Sequence, residues 1–593
     1  MKGVGCGRRP SSAHDRTTGG APRTPLMNRT RKEMVSRSIA ITCAQLNSCV
    51  GDIEGNGRLI RDAWIQADRE GADLLIMPEL MLSGYPAEDL AANRGFMLRI
   101  QREVCMLLET CGSLKPAVLL TTPWLLDGAL VNAALVIEKG GIRSVIGKQV
   151  LPNYGVFDEK RVFSAPGIAA PIMIGEVKFG LLLCEDGWHA ELAQAHCRSG
   201  AHMLISLNAS PYSKLKRQNR LAACEARVRE TGLPLLYLNS IGGQDELVFD
   251  GASFALNPDG EPAMSLPHWQ TATATVNAVC ADAGTWRWAS SARCEPPDAL
   301  EDLYSAMVLG LRDYVGKNRF PGVLLGLSGG IDSALVAAIA TDALGPERVV
   351  AVMLPSRYTS EQSRIDAASV AERLGIKLSE IPIDPAHRTL SITLAQALTQ
   401  PLSELTEQNL QARIRGIKLM ALSNQSNYLL LSTGNKSEIA VGYSTLYGDM
   451  CGGFNPLKDL YKMDVYRVSA WRNSHRPPIG LGPPGQVVPD SVLQKAPTAE
   501  LKPDQKDEDN LPPYALLDTI LHGLIEEELT LDELQARDID RQTLVRVWTL
   551  LERAEFKRRQ APPGVKLSER ALSRDRRYPI TNRFLPSIEY DDA

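Results

Sequence analysis

The stretch Gly326-Leu-Ser328-Gly329-Gly330-Ile331-Asp332-Ser333 constrains this chain more than any other. The apolar run at 322–327 leads in as a buried strand, and the run from Ser333 to Ala340 leads out as a helix. A strand, a glycine turn and a helix point backbone N–H groups at an anion on the helix N-terminus. Gly329 and Gly330 let the backbone approach that anion closely. Ser328 and Ser333 add hydroxyl donors, and Asp332 can hold a magnesium ion. The loop lacks the lysine of a Walker A motif. The one near match to that motif, Gly310 to Gly316-Lys317, has five intervening residues and is followed by Asn318. The spacing therefore predicts a site for a leaving pyrophosphate.

A chain of 593 residues is too long for one core, so several domains are expected. The net charge of −4 gives no overall basic field for nucleic acid. The local run Lys214-Leu-Lys216-Arg217-Gln-Asn-Arg220 reads as a solvated helix face. Eleven cysteines without a C-x-x-C pair argue against a disulfide framework or a zinc site and fit a reducing cytoplasm. The first 38 residues carry nine Lys or Arg against two acids and no apolar core of a signal peptide. They read as a disordered basic leader, with Met27 or Met34 as alternative starts.

Short apolar runs at 39–42, 74–77, 118–120, 179–184, 203–207 and 235–238 read as strands with helical stretches between several of them. Residues 39–280 form one α/β domain in this reading, and 281–298, with Gly, Ser and two Trp, form a linker. Residues 299–593 open with a helix from Ala299 and alternate strand and helix around the glycine turn. This predicts a doubly wound parallel sheet with ligands at the carboxyl ends of its strands. The helix after the strand at 349–354 carries Ile365, Ala368, Ala371 and Leu374 on one side and stops at Gly375.

Glu79, Lys148 and Cys184 each follow a predicted strand. A carboxylate, an ammonium and a thiol are the parts needed to cleave an amide covalently. A free thiol has a pKa of about 8.5, so a base must take its proton before it attacks. Glu79 suits that task, and Lys148 suits the stabilisation of thiolate and oxyanion.

The segments around these residues, Pro78-Glu79-Leu-Met-Leu-Ser-Gly-Tyr85, Lys148-Gln-Val-Leu-Pro-Asn-Tyr154 and Leu183-Cys184-Glu185-Asp186-Gly-Trp188, resemble the signatures of the nitrilase superfamily of carbon-nitrogen hydrolases. The resemblance implies an α-β-β-α sandwich and the catalytic triad Glu79, Lys148 and Cys184. It also implies a glutamine pocket of Tyr85, Tyr154, Glu185, Trp188 and Ser210, with Glu159 in support. The loop at 326–333 resembles that of the N-type ATP pyrophosphatases. The segments Ser432-Thr433-Gly-Asn-Lys-Ser-Glu438, Tyr447-Gly-Asp449-Met-Cys-Gly-Gly-Phe454-Asn455-Pro-Leu-Lys458 and Thr498-Ala-Glu500 resemble the NAD+ synthetases.

Together these features resemble the glutamine-dependent NAD+ synthetase family, which amidates ATP-activated deamido-NAD+ with glutamine nitrogen. ATP is then expected at Gly326, Ser328, Gly329, Gly330, Asp332, Ser333 and Thr433, and Mg2+ at Asp332 and Glu438. Deamido-NAD+ is expected at Arg413, Asp449, Phe454, Asn455 and Lys458. The resemblance further implies a cytoplasmic homo-oligomer that takes small-molecule substrates, with no nucleic acid or membrane partner. The rival readings are a plain amidase with a binding module, an RNA-modifying ATP pyrophosphatase and an inactive sensor.

Overall fold

The computed structural model describes residues 37–281, 284–398 and 400–584. The expected leader lies, through residue 36, outside the described residues.

The first half is built from β1 (Ser38–Gln45), β2 (Leu74–Ile76), β3 (Ala117–Leu126), β4 (Ala129–Glu138) and β5 (Gly141–Gly147). They are followed by β6 (Ile172–Ile174), β7 (Val177–Leu183), β8 (Met203–Asn208), β9 (Leu235–Asn239), β10 (Ile241–Gln244) and β11 (Leu247–Asp250). The last strands are β12 (Phe254–Leu256), β13 (Pro262–Ser265), β14 (Ala272–Cys280) and β15 (Trp286–Trp288). A seven-stranded sheet runs β15-β14-β1-β2-β3-β4-β5, and a six-stranded sheet runs β13-β12-β9-β8-β7-β6.

One apolar layer joins the two sheets: Ile41, Leu74 and Leu119 from the first pack with Phe179, Ile205 and Leu236 from the second. Strands buried on both faces must be apolar throughout, which is why these runs show no alternation. The outer face of the first sheet is covered by helices Ile53–Arg69 and Arg94–Cys111 through Trp64 and Ile100. Helices Ala190–Arg198 and Lys216–Thr231 cover the second through Leu192 and Val228. The α-β-β-α sandwich expected from the sequence is therefore present.

The expected linker at 281–298 needs correction. Trp286–Trp288 pairs antiparallel with β14, and both tryptophans are buried in the sandwich core. Aromatic side chains that large gain more from burial than a linker offers, so they extend the sheet.

In the second half, β16 (Val323–Gly326), β17 (Val349–Met353), β18 (Lys377–Glu380) and β19 (Leu429–Leu431) form a parallel sheet in the order β18-β17-β16-β19. The chain steps from β16 one way to β17 and later returns to the other side as β19. A topological switch point lies at the carboxyl ends of β16 and β19, where open α/β sheets bind ligands. The helix Glu361–Leu374 stops at Gly375 in the left-handed conformation as expected, but its buried face is Ala367, Val370, Ala371 and Leu374. Ile365 is 54% exposed and Ala368 is exposed, correcting the predicted face by a small rotation. Ser363 and Asp366 are polar residues on the buried side, which disguised it.

The two halves share one interface. Gly243 of β10 crosses Gly310 of the helix Ala299–Lys317 so closely that a Cβ on Gly243 would lie 2.9 Å from the Gly310 Cα. Gly310 thus serves backbone approach rather than phosphate. Lys317 donates to the carbonyls of Ser48 and Gly243. The basic run expected to be a solvated face is also an interface clip. Lys214 pairs with Asp464 and Arg217 with Asp302 across the two halves, while buried Arg220 pairs with Asp250 inside the first.

Candidate active sites

In the first half the strands deliver three charged groups to one point. Lys148, fully buried just past β5, donates from Nζ to Oε1 of Glu79 and to Oε1 of Glu159, each at 2.8 Å. Glu79 also accepts from Asn132 Nδ2 at 2.7 Å and from the Ala209 N–H at 3.1 Å. The Tyr85 hydroxyl donates to Glu159 at 3.0 Å. Every one of these donors fixes a carboxylate orientation before substrate arrives, which is the preorganisation a buried polar network provides.

Cys184 directly follows β7 with φ of 49°, opening the short turn Cys184–Trp188. Asp186 locks that turn by accepting from the N–H groups of Leu183, Gln149 and Val150 at 3.0, 3.0 and 2.8 Å. Burial pushes the Cys184 thiol well above its ordinary range, Glu79 raises it further, and Lys148 opposes both. In this setting the thiol is held neutral and would need a base to ionise. Burial would lower the Lys148 pKa, but Glu79 and Glu159 outweigh it and hold the ammonium charged. Burial drives Glu159 up to about 7 against the pull of Lys148.

Of the expected glutamine pocket, Tyr154 and Glu185 are joined by a 2.9 Å hydrogen bond. Trp188 closes the same turn under the Lys216 ammonium, 4.5 Å from its ring centroid. Ser210 is buried behind β8, with its N–H on Asn239 and its carbonyl on Arg220. Tyr85 is buried with its hydroxyl already on Glu159.

In the second half a cavity of about 240 Å³ opens at the switch point between β16 and β19. Ser328, Gly330, Asp332 and Ser333 follow β16 into it, and Thr433 and Glu438 follow β19. Gly329 has φ of +82°, and a Cβ there would lie 2.3 Å from the Ser363 carbonyl, so only glycine fits. The Ser333 hydroxyl caps the Ser328 N–H, which shapes the loop.

Asp332 accepts from Asn435 Nδ2 at 2.9 Å, and Lys462 joins Asp332 to Glu438 with contacts of 2.5 and 3.3 Å. Burial pushes Glu438 up to about 7, against Lys462. Two carboxylates converging on one ammonium are hard oxygen donors already arranged around positive charge, which suits Mg2+ shared with substrate phosphates. No third acidic, His or Cys ligand joins them into a metal cluster among the described residues.

A second cavity of about 250 Å³ adjoins the first beneath β17, with Gly326, Ser328 and Thr433 on its wall. Its opposite wall is Ala412, Arg415, Gly416 and Leu419, one face of the helix Glu404–Ser426. Arg413 lies on the other side of that helix, exposed, with its Nε on the Leu446 carbonyl at 3.2 Å. Arg415 is the arginine turned to the cavity. Two positions apart on a helix differ by about 200°, so only one could be.

Asp449 lines both cavities and Asn455 the first. Burial pushes Asp449 up to about 6. Phe454 does not reach either: it is fully buried with its ring centroid 4.3 Å from that of Tyr314. Lys458 is also turned away, paired with Glu246 at 2.7 Å. Two lysines do reach the cavity: Lys462, four residues on and in the first turn of the helix Lys462–Ser474, and Lys495.

Residues 40–287 match the family model of carbon-nitrogen hydrolase, and residues 303–561 match that of NAD synthase. A glutamine-dependent NAD(+) synthetase from Rhodobacter capsulatus is 44% identical over 544 residues, covering 92% of this chain and 98% of the relative. The chain belongs to the glutamine-dependent NAD+ synthetase family. A second family member, from Thermotoga maritima, is 40% identical over 580 residues and covers 92% of this chain and 99% of its own. The solved glutamine-dependent NAD+ synthetase of Acinetobacter baumannii, in complex with ADP, superposes with a TM-score of 0.73 at 37% identity, covering 92% of this chain and 98% of that one. Both halves of a glutamine-dependent NAD+ synthetase are thus present in one chain.

Asn132, Asp186, Arg415 and Lys462 were not singled out by sequence reasoning. Asp186 carried a visible signal, two residues past Cys184 in a strand-end turn. Lys462 carried one too, as the only lysine in the opening turn of its helix.

Proposed function

We propose that this chain converts deamido-NAD+ to NAD+, hydrolysing glutamine in its first half and consuming ATP in its second. The observation that carries the reading is the pairing, within one chain, of a Cys184–Lys148–Glu79 centre with a lysine-free pyrophosphate loop at a sheet switch point.

In the first half Glu79 takes the Cys184 proton, and the thiolate attacks the glutamine amide carbon. Lys148 stabilises the tetrahedral oxyanion; one such donor is worth roughly 3 kcal/mol. Glu79 returns that proton to the amide nitrogen, which leaves as ammonia as the C–N bond breaks, and the thioester left on Cys184 is hydrolysed by water that the Glu79 carboxylate deprotonates, giving glutamate and the free thiol. Tyr154 and Glu185, joined to each other beside Cys184, and Trp188 on the same turn are placed to hold the substrate.

In the second half the nicotinate carboxylate attacks the ATP α-phosphorus. The N–H groups and hydroxyls of the loop at Ser328–Ser333 receive the leaving pyrophosphate. Asp332 and Glu438 would hold Mg2+, which when bound neutralises phosphate charge. Thr433 faces ATP, and Asp449 and Asn455 face the dinucleotide. Ammonia then displaces AMP from the acyl adenylate.

No helix among the described residues is long and apolar enough to cross a membrane. The reading includes a cytoplasmic homo-oligomer. Its support is the reduced state of the described cysteines and the apolar side chains left exposed on the adjoining helices Asp384–Ala397 and Glu404–Ser426, including Ile392, Leu405 and Ile417 at 55, 67 and 65%.

The test is purified protein with ATP, Mg2+, glutamine and deamido-NAD+, followed for NAD+, AMP and glutamate. Equal NAD+ and AMP with matching glutamate is the expected result. Glutamate release without AMP would overturn the assignment.

A further inference from the structure

The helix Lys216–Thr231 stands beside the glutamine pocket, and it begins without the groups that stabilise a helix start. Its N-cap, Leu215, has no side chain that accepts a hydrogen bond, and its first turn holds no acid. Lys216 and Arg217 instead set two cations against the positive end of the helix dipole. A basic, uncapped N-terminus of this kind frays unless something outside the helix holds it.

The missing acids come from the synthetase half. Glu569 Oε1 accepts from the Leu215 N–H at 3.0 Å, the contact that a carboxylate in the helix's own first turn makes in a capping box. Asp464 Oδ2 takes the Lys214 ammonium at 2.6 Å, and Asp302 Oδ2 takes Arg217 Nη1 at 2.6 Å. The Leu567 carbonyl accepts the Lys214 N–H at 3.0 Å. Leu567 and Ser568 are fixed in turn by their own N–H groups on Asp459 Oδ2, at 2.8 and 2.7 Å.

The gripped residues, Lys214, Leu215 and Arg217, are interleaved with those on the pocket side. Ser210 precedes them, and buried Arg220 follows them and donates to the carbonyls of Ser210 and Pro211 at 3.2 and 3.3 Å. Lys216 sits over the Trp188 ring, and Arg227 of the same helix donates to the Trp188 carbonyl at 2.9 Å. Burial and Arg220 lower the Lys216 pKa, while Cys184, Glu185 and Glu569 oppose them. Neighbouring helical residues point about 100° apart, so one turn offers Lys216 to the pocket and Arg217 to the other half.

We propose that Glu569 and Asp464, with Asp302, are positioning residues for glutamine: they cap in trans the helix carrying Lys216 and Arg220, completing a pocket that the hydrolase half does not order by itself. The proposal rests on the glutaminase reading above and adds to it residues that touch neither glutamine nor Cys184. When the first turn frays, Lys216 leaves Trp188 and the segment from Ser210 loosens. Cys184, Lys148 and Glu79, set by β7, β5 and β2, keep their geometry. The loss therefore falls on glutamine binding and not on the chemical step.

The experiment measures glutamate release and NAD+ formation by the full-length protein and by Glu569→Ala, Asp464→Asn and Asp464→Glu. Glu569→Ala and Asp464→Asn should each raise the KM for glutamine about tenfold, with kcat and ammonium-supported NAD+ formation within about twofold. Asp464→Glu keeps the charge and should recover most of the loss. An unchanged KM for glutamine, or a fall in kcat and ammonium-supported synthesis in step with the rise in KM, would overturn the proposal by making these contacts packing alone. Absence of glutamate release by the unaltered protein would instead sink the glutaminase reading, a result separable from any variant.

Discussion

Lys458 of the synthetase half and Glu246 of the hydrolase half form an ion pair of 2.7 Å, with side chains 9 and 21% exposed. Glu246 sits in the turn between β10 and β11, and its own carbonyl accepts from the Lys566 N–H at 2.8 Å. It also lines a small cavity shared with Pro86, Val156 and Arg574, between the two halves. The pair therefore ties the loop carrying Asp449 and Asn455 to the wall of the hydrolase domain.

Glu246→Gln should leave ammonium-dependent NAD+ synthesis within about twofold while more glutamate is released per NAD+ formed, because the charge-assisted tie, worth about 1.5–3 kcal/mol, is lost. The glutamate to NAD+ ratio measures this. A ratio equal to that of the unaltered protein would show the pair to be a bystander.

Cys184→Ala should abolish glutamine-supported synthesis and spare synthesis from ammonium. Glu79→Gln should do the same for a different reason, since it leaves a neutral thiol without its base and Lys148 with one fewer charge partner. A loss of about a thousandfold or more in the glutaminase step is expected for each. Mass spectrometry should find a glutamyl thioester in neither variant. If ammonium-supported synthesis fell equally in a folded variant, the two halves would not divide the labour.

Much of this was readable from the chain because strand ends are marked by apolar runs, and the proposed catalytic groups follow them directly. Glu79, Lys148 and Cys184 each sit within a few residues of β2, β5 and β7. What was not readable depends on side-chain direction. Arg413 and Arg415 are both basic and helical, and only packing against Gly416 and Leu419 decides which one faces the cavity. Phe454 stands in a polar motif yet belongs to the core, because its backbone bridges to Leu431 of β19 and turns the ring towards Tyr314. The buried face of Glu361–Leu374 was misassigned because Ser363 and Asp366 are buried polar residues whose side chains are satisfied, by Glu500 for the first and Ser491 for the second.

Lys462→Met should depress synthesis with glutamine and with ammonium alike. Its ammonium is the shared partner of Asp332 and Glu438, and breaking a buried pair costs about 3–5 kcal/mol when the other charge stays behind. Part of that cost appears as weakened ATP binding, because two carboxylates then face the phosphates without their cation. Lys458→Met, by contrast, should alter coupling more than ATP affinity. Titration of both variants with ATP distinguishes the roles, and equal affinities would return Lys462 to a packing function.

His268 gives a prediction about acid stability. The imidazole is partly buried next to the Arg217 and Arg220 guanidiniums and Asp250, and burial lowers its pKa from 6.5 to about 4. An unfolded chain takes up a proton at His268 below pH 6.5, whereas the folded chain does not until about pH 4. The unfolded state binds more protons in that window, so stability rises with pH through it and is lost as pH falls from 6.5 towards 4. At pH 5 this one residue should cost about 2 kcal/mol relative to pH 7. His268→Gln removes the titrating group while keeping a polar side chain beside Asp250. Denaturant unfolding of the two proteins at pH 7 and pH 5 should show a smaller acid loss for the variant. Identical losses would mean that the ring can escape to solvent before it is protonated.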